Sequence, residues 1–472
     1  MRRRDFLAQL SAAAALGPAA AAADPDTRQA TGVKLGEVTD TSAIAWMRLT
    51  AAPTRNAAGL LRRGRPQPLD PKLKIEDLEG ACPGAGGRAR LVLSTREDLG
   101  GARRTPWREL DPAGDFTRQF PLTDLRPDTL YYYAAETASG RSHAPLLGRF
   151  RTAPRPQDLA PVSFTMTTCQ KYSQLDHADG FHIYESMLKL DPRFFVSAGD
   201  IVYYDSDDPR VTTPELARYH WQRMFSFPRH VRTLLQLPGY WAKDDHDTIS
   251  DDTWPAKAQP PEMKLTFQQG LGIFREQVPM GPRTYRTFRW GKTLQIWLVE
   301  GRDFRSPNTM PDGPEKTIWG VQQKQWLQQS LLASDADWKI LVSPTPIVGP
   351  DRANKADNHS NRAFAHEGRE FREWVRRQLP ENFFNLNGDR HWQYHSVHPE
   401  TGLQEFSVGP ASDSHASGTP GEDPGYHRFH RVRGGFLQVE TSRSGGDTHI
   451  RFRHRDVDGN VVYEFSKSRR AG

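Results

Sequence analysis

Three apolar runs in this chain end on residues of metal-ligand type. Phe194-Phe195-Val196-Ser197-Ala198 passes into Gly199-Asp200, with Tyr203 three residues further on. Tyr240-Trp241-Ala242 passes into Lys243-Asp244-Asp245-His246-Asp247, and Phe383-Phe384-Asn385-Leu386-Asn387 into Gly388-Asp389-Arg390-His391. A fourth run, starting at Val162, ends on Cys169. Carboxylate, imidazole, phenol and thiol together form a donor set for hard and borderline cations. One Gly-Asp after a strand is an ordinary turn. Three such ends, with a cysteine after a fourth strand, fit a shared metal centre better than coincidence.

Such a centre needs strands that deliver their carboxyl ends to one place, because ligands in an open α/β sheet bind in the crevice beyond those ends. From residue 160 onward apolar runs alternate with helical stretches, which is the α/β pattern. Strands are expected at 164–168, 194–198, 294–299, 340–344 and 383–386. Helices are expected at 216–235, broken near Pro228, and at 321–332 and 367–378. The tail returns to β at 436–440, 449–454 and 461–465. Residues 31–153 read instead as an all-β sandwich, with short alternating runs at 42–49, 88–93 and 115–122 between Pro/Gly-rich turns. Leu125-Arg126-Pro127-Asp128-Thr129-Leu130-Tyr131-Tyr132-Tyr133 resembles the turn into a strand of fibronectin type III domains, where a tyrosine corner braces the sandwich. Residues 62–87 read as a long surface loop, and Pro154-Arg155-Pro156 as a stiff linker into the second domain.

The chain opens Met1-Arg2-Arg3-Arg4-Asp5-Phe6-Leu7, continues in an alanine-rich stretch and reaches Ala21-Ala22-Ala23. Residues 1–23 therefore read as a secretory signal. The adjacent arginines resemble the twin-arginine type, which implies export of a folded protein by that machinery and a periplasmic or secreted destination. No other apolar stretch approaches the ~20 residues that span a bilayer. The length, 472 residues, exceeds one ordinary core. Net charge is +6, of which three arginines and one aspartate among the first five residues supply +2. That mild basicity fits a small anionic substrate. With no arginine-rich arm, zinc-finger spacing or basic helix, no nucleic-acid-binding module is expected. The two cysteines are Cys82, in a Gly/Pro-rich loop, and Cys169. A bridge between them stays open in an oxidising compartment, but thiolate ligation accounts better for Cys169.

In order along the chain, Cys-Gln after a strand, Gly-Asp-x-x-Tyr, Trp-x-x-Asp-Asp-His and Gly-Asp-x-His resemble the PhoD-like alkaline phosphatases and phosphodiesterases of the calcineurin-like metallophosphoesterase superfamily. Gly301-Arg302-Asp303-Phe304-Arg305, and Gly320-x-x-Gln323-x-x-Trp326-Leu327 opening a helix, fit as well. The resemblance runs from the leader to the C-terminal strands. It implies a catalytic domain at 160–468 with a four-layer α/β-β-α core, preceded by the fibronectin/immunoglobulin-like sandwich. It also implies Fe3+ bound partly by cysteine and tyrosine, beside one or two Ca2+ held by carboxylates. Carried onto this chain, the metal ligands are Cys169, Asp200, Tyr203, Asp245, Asp389 and His391, with packing as the rival role for Tyr203 and substrate contact for His391. His246 becomes a proton donor or phosphate contact near the leaving group. Arg302 and Arg305 become phosphate clamps or, equally, ion-pair partners of Asp303 or another acid.

The chain also departs from the pattern. Thr167-Thr168-Cys169 stands where the superfamily has Asp-x-His, and Ser343-Pro344-Thr345-Pro346 has no counterpart of its middle histidine. Asp251-Asp252 stands near where relatives carry Asn-Asn, which makes Asp252 a possible further ligand. The Asp-, Asn- and His-rich segment 351–366 reads as a solvated loop, with a lid as the alternative.

Phosphate-ester hydrolysis needs neutralisation of the ester's charge and an activated water, and two cations held close together supply both. Asp200 is the expected bridge. Thiolate and phenolate from Cys169 and Tyr203 favour iron(III), whereas the all-oxygen set Asp200, Asp245 and Asp389 suits calcium. The expectation is an exported, metal-dependent phosphoesterase that uses in-line attack by a metal-activated water. A phosphodiesterase or phospholipase-D-like activity on the same site is the alternative. A rival from another class is a non-catalytic envelope-binding protein with a decayed site. Such a site would have lost one of Cys169, Asp200, Asp245 or Asp389, and all four are present.

Overall fold

The computed structural model describes residues 26–471; the signal-type leader expected at 1–23 lies outside them. The N-terminal strands are β1 (Lys34–Gly36), β2 (Ala43–Arg48), β3 (Gly87–Ser94), β4 (Arg103–Arg104), β5 (Arg108–Leu110), β6 (Thr117–Leu122), β7 (Leu130–Ser139), β8 (Arg141–Ser142) and β9 (Leu146–Arg151). Then come β10 (Val162–Thr167), α1 (His182–Leu188), β11 (Phe194–Ala198), α2 (Pro214–Phe225), α3 (Pro228–Leu234), β12 (Gly239–Ala242) and α4 (Phe267–Gln277). The following stretch holds β13 (Arg286–Trp290), β14 (Leu294–Leu298), α5 (Gly320–Ala333), β15 (Trp338–Ser343), α6 (Ala365–Gln378) and β16 (Phe383–Asn387). The chain closes with β17 (Gln393–Val397), β18 (Gln404–Val408), β19 (His427–Arg431), β20 (Phe436–Ser444), β21 (Asp447–Arg455) and β22 (Val461–Arg470).

A nine-stranded sheet runs β22-β21-β20-β10-β11-β12-β1-β2-β6, and a seven-stranded sheet runs β13-β14-β15-β16-β18-β17-β19. Alternation along their central strands explains how they stack, because successive side chains leave a strand on opposite faces. Phe194, Val196 and Ala198 of β11 join Ile296 of β14, Ile340 and Val342 of β15 and Leu386 of β16 in a core between the sheets. Phe195 and Trp241 point the other way, onto Tyr184, Trp221 and Phe274 from the helices α1, α2 and α4. Trp297, Leu341 and Phe383 leave the outer face of the second sheet to meet Leu327 of α5 and Phe371 of α6. The result is helices, sheet, sheet, helices, the four layers expected for the second domain. Strands buried on both faces carry continuous apolar runs, and each fully buried Phe or Leu contributes about 1.5–3 kcal/mol. The break near Pro228 separates α2 from α3, since proline has no N–H for the preceding helix and suits the first position of the next.

In the N-terminal part, β1, β2 and β6 form one layer and β3 to β5 with β7 to β9 another. Ala43, Ala45 and Met47 share a buried cluster with Leu91, Leu93, Tyr133 and Ala135. The tyrosine corner is Tyr131, whose hydroxyl accepts a hydrogen bond from the Arg126 backbone N–H at 2.9 Å. The sandwich is continuous with the sheet of the second domain. β1 pairs in parallel with β12 through Gly36 and Gly239, so one of its layers continues the large sheet. Glycine is needed there: a Cβ on Gly36 would lie 2.9 Å from the Gly239 carbonyl and 2.8 Å from that of Pro279.

The segment 62–87 is likewise not simply a surface loop. Leu78, Ala81 and Cys82 are buried, Arg62 pairs with Asp208 at 2.6 Å, and Glu79 pairs with Arg55 at 2.6 Å. Its apolar end thereby docks on the helices of the second domain. Cys82 and Cys169 are both free and buried, so the bridge between them is not formed. Among the described residues no helix is long and apolar enough to cross a membrane.

Candidate metal centre

The parallel strands β10, β11 and β12 end side by side, and the end of β16 in the second sheet closes on them. Gly388 makes that approach possible: a Cβ there would meet Thr168 Oγ1 at 2.6 Å and the Ala198 carbonyl at 2.8 Å. Immediately after these strands the backbone turns through left-handed conformations at Cys169 (φ 52°), Asp200 (φ 55°) and Asp389 (φ 61°). Such angles are uncommon outside glycine and cluster where a site over-determines the chain. Asp247 ties two of the turns together, its carboxylate accepting from the Asp244 N–H at 2.7 Å and the Ile201 N–H at 3.1 Å.

The expected ligands converge in two overlapping groups around Asp200. On one side the Cys169 thiol lies 3.4 Å and the Tyr203 hydroxyl 3.2 Å from Asp200 Oδ2, and Tyr203 Oη lies 3.4 Å from His391 Nε2. Cys169, Asp200 and His391 offer ligand atoms within 4.8 Å of one another. On the other side the same holds for Asp200, Asp245 and His246, and for Asp200, Asp244 and Asp389. Asp244 thus joins the centre as well as Asp245, which the family resemblance singles out from the pair.

These residues fit bound cations. Asp200 Oδ1, Asp244 Oδ2 and Asp245 Oδ1 are buried without a hydrogen-bond partner, an arrangement that buried carboxylates otherwise avoid. Burial, joined by the neighbouring carboxylates Asp245, Asp244 and Asp247, pushes Asp200 far above the usual carboxylate range. Burial and the adjacent Asp200 push the Cys169 thiol and the Tyr203 phenol up as well. A cation among them reverses that logic and holds thiolate, phenolate and carboxylate ionised. Cys169, Tyr203 and His391 offer a mixed S, O and N set on one side of Asp200; on the other, Asp244 and Asp389 offer oxygens, and Asp245 is grouped there beside His246.

His246 packs against Tyr203 in a tilted arrangement with ring centroids 4.3 Å apart. Its Nδ1 lies 2.6 Å from Asp205 Oδ1, and Asp205 Oδ2 accepts the Asp251 N–H at 2.8 Å. Burial alone would lower the imidazole, but Asp205, Asp245 and Asp200 outweigh it and hold His246 well above its ordinary value. Asp205 was not singled out in the sequence, where it is one polar residue of a loop. His415, also missed, faces His391 at 4.0 Å between centroids and places Nδ1 3.2 Å from the Cys169 carbonyl. No motif marks it.

The arginines divide. Arg302 is fully buried and pairs not with Asp303 but with Asp244 at 2.5 Å and, more loosely, Asp245 at 3.5 Å. Both of its Nη atoms lack hydrogen-bond partners. Arg305 bonds Asn308 at 2.7 Å and the Asp357 carbonyl at 2.6 Å and lies over Phe364, so its fork holds a loop. Asp303 instead pairs with Lys243 at 2.8 Å.

The segment 351–366 is not a solvated loop. Asp357, Asn358 and His359 are buried, and Arg390 grips the segment through Asp351 at 2.9 Å and Asp357 at 3.2 Å. Its Lys355 reaches Asp252 at 2.9 Å. Asp252, the possible extra ligand, is thereby engaged in an ion pair, and burial with the nearby Asp357 raises it to about 7.

Fold and ligand set together define a protein of the metallophosphoesterase kind, with a metal-type centre at the carboxyl ends of strands from two stacked sheets. More particularly, the chain belongs to the PhoD-like phosphatase family. The family model for the PhoD-like phosphatase matches residues 164–461, and the model for its N-terminal domain matches residues 12–154. Alkaline phosphatase D of Bacillus subtilis (strain 168) is 23% identical over 255 residues, which is 46% of this chain and 42% of that protein. The match thus spans less than half of that relative's length. A solved structure of PhoD superposes with a TM-score of 0.72 at 16% identity, covering 95% of this chain and 92% of that one. The purple acid phosphatase PPD1 from seeds of yellow lupin (Lupinus luteus) gives 0.60 at 12% identity, covering 92% and 73%. Both likenesses are likenesses of fold.

Proposed function

We propose that this chain is an exported phosphoesterase whose centre holds Fe3+ between Cys169, Tyr203, His391 and Asp200, and Ca2+ among Asp200, Asp244, Asp245 and Asp389. The observation that carries the reading is the position of Asp200, buried between a sulfur- and nitrogen-containing set and an all-oxygen set, with Oδ1 unpartnered. Family membership supports hydrolysis of phosphate esters, and the arginines before Phe6-Leu7 support twin-arginine export. When bound, the cations neutralise the ester's charge and lower the pKa of a water.

The chain's own residues do the rest. Asp200 belongs to both groups and fixes their separation. Asp205 fixes the His246 ring at Nδ1 and leaves Nε2 to protonate the departing oxygen. Arg302 holds Asp244 in place and balances its charge in the buried site. A cavity of about 360 Å³ lined by Asp205, the partner of His246, with Val211, Asp251, Lys257 and Met263, offers the organic part of the ester a place to lie.

The test is hydrolysis of a chromogenic phosphomonoester and phosphodiester by metal-loaded protein before and after chelation. Turnover lost to chelator and restored by calcium is expected, and the better ester identifies monoesterase or diesterase action. A metal-loaded protein inactive on both esters counts against the reading.

A further inference from the structure

We propose that Lys171 and Arg352 form a second anion subsite at the rim of the centre. It selects phosphate esters whose organic part carries a further phosphate or carboxylate. The inference rests on the phosphoesterase reading given above and narrows its substrate class.

The cations around the centre differ in whether their charge is already used. Lys243 faces Glu300 and Asp303, each at 2.8 Å. Arg302 faces Asp244, Arg390 faces Asp351 and Asp357, and Lys355 reaches Asp252. Lys171, two residues beyond Cys169, is different. It is half-buried, and among the described residues no carboxylate pairs with its ammonium. Its Nζ lies 5.4 Å from the centre of the Tyr203 ring. A cation is attracted to a ring face at that range, which positions the ammonium and leaves its three donors for a ligand.

Arg352 stands at the other end of a row of rings. Tyr203 meets His415 at 5.3 Å between centroids, and His415 meets His391 at 4.0 Å. The Arg352 guanidinium lies 5.9 Å from the ring of Trp392, the residue after His391. The carboxylate it faces is Asp351 at 3.6 Å, whose two oxygens already accept from Arg390 at 2.9 Å. Its Nε has no hydrogen-bond partner. Gly418 leaves the guanidinium room, since a Cβ there would stand 3.0 Å from Nη1.

Two positive charges thus flank the ligand rings without a carboxylate of their own to satisfy them. The phosphate under attack is neutralised by the bound cations, and the buried Asp244 by Arg302. The charges of Lys171 and Arg352 are left over for a second anionic group on the same substrate. A guanidinium fork matches a phosphate or carboxylate, and an ammonium adds a point charge beside it.

The experiment compares para-carboxyethylphenyl and para-propylphenyl phosphate, whose phenols are similar leaving groups, each as the monoester and as the methyl diester. Metal-loaded wild type, Lys171→Met, Lys171→Arg and Arg352→Gln are assayed, with folding checked by thermal melting and metal content by mass spectrometry. Wild type should prefer the carboxylate-bearing ester in kcat/KM, and added salt should shrink that preference. The preference should fall about tenfold in Lys171→Met, the effect of one charge-assisted hydrogen bond, through KM more than kcat. Lys171→Arg should keep it, and Arg352→Gln should lower it as Lys171→Met does. A wild type without preference, or equal losses on both esters in the Met and Gln variants, would overturn the second subsite. A wild type that hydrolyses none of the four esters would strike the phosphoesterase reading, and this proposal with it.

Discussion

Asp205 Oδ1 stands 2.6 Å from Nδ1 of His246, on a residue pair separated by forty-one positions in sequence. The carboxylate orients the ring and favours its protonated form, leaving Nε2, 4.0 Å from Asp251 Oδ1, as the nitrogen away from Asp205. Asp205→Asn and His246→Gln should each lower kcat by about 10²-fold on esters with poor, alkoxide-type leaving groups. Nitrophenyl esters, whose leaving group needs no proton, should suffer much less. Equal losses on both ester types in steady-state kinetics would remove the proton-delivery role.

Asp200 is the shared member of both ligand groups. Asp200→Asn should abolish hydrolysis and reduce bound metal while the protein still melts cooperatively. Retention of a tenth of wild-type kcat, a change of about 1.4 kcal/mol, would show that it bridges nothing.

Tyr203 Oη and Cys169 Sγ both face Asp200 Oδ2, at 3.2 and 3.4 Å. A visible charge-transfer band from phenolate bound to iron(III) is expected in purified protein, lost in Tyr203→Phe and weakened in Cys169→Ser through lower iron content. A colourless, iron-free preparation that turns over substrate would refute the iron assignment, as would a band unchanged in Tyr203→Phe.

Glu367 anchors α6 away from the metal-ligand set. Its carboxylate accepts from Thr317 Oγ1 at 2.5 Å and the Ile318 N–H at 2.6 Å, and meets His359 Nε2 at 2.9 Å. Burial opposes ionisation, but these hydrogen bonds outweigh it and hold Glu367 below the ordinary glutamate value. A depressed folded-state value gives stability that is present above the unfolded value, about 4.3, and is lost as pH falls below it towards and through the folded value. Glu367→Gln should cost about 1–3 kcal/mol near neutrality, with the gap to wild type closing in acid. Chemical denaturation at several pH values tests this, and a gap independent of pH would contradict it.

Tyr131 braces the N-terminal layer through one bond to the Arg126 N–H. Tyr131→Phe should lower stability by about 1 kcal/mol with kcat unchanged. A loss of activity without a loss of stability would give this tyrosine a role in the site.

The sequence by itself determined what is local. An apolar run followed by Gly-Asp, Asp-Asp or a cysteine is visible in ten residues, so the strand ends carrying Cys169, Asp200, Asp245 and Asp389 were legible, whereas the four-layer core and the tyrosine corner came from resemblance to known families. Tertiary structure alone decided which loop residues complete them. Asp205, His415 and Lys355 lie in segments of no fixed period, and their partners are chosen by how the strand-end loops pack. The same holds for Arg302, whose buried position against Asp244 cannot be told from an Asp303 pair one residue away in sequence. The junction of β1 with β12 was equally hidden, because it rests on two glycines that carry no side-chain pattern at all. Hydrophobic alternation specifies which face of a strand is buried, whereas the partners of a buried charge follow from where whole elements come to rest.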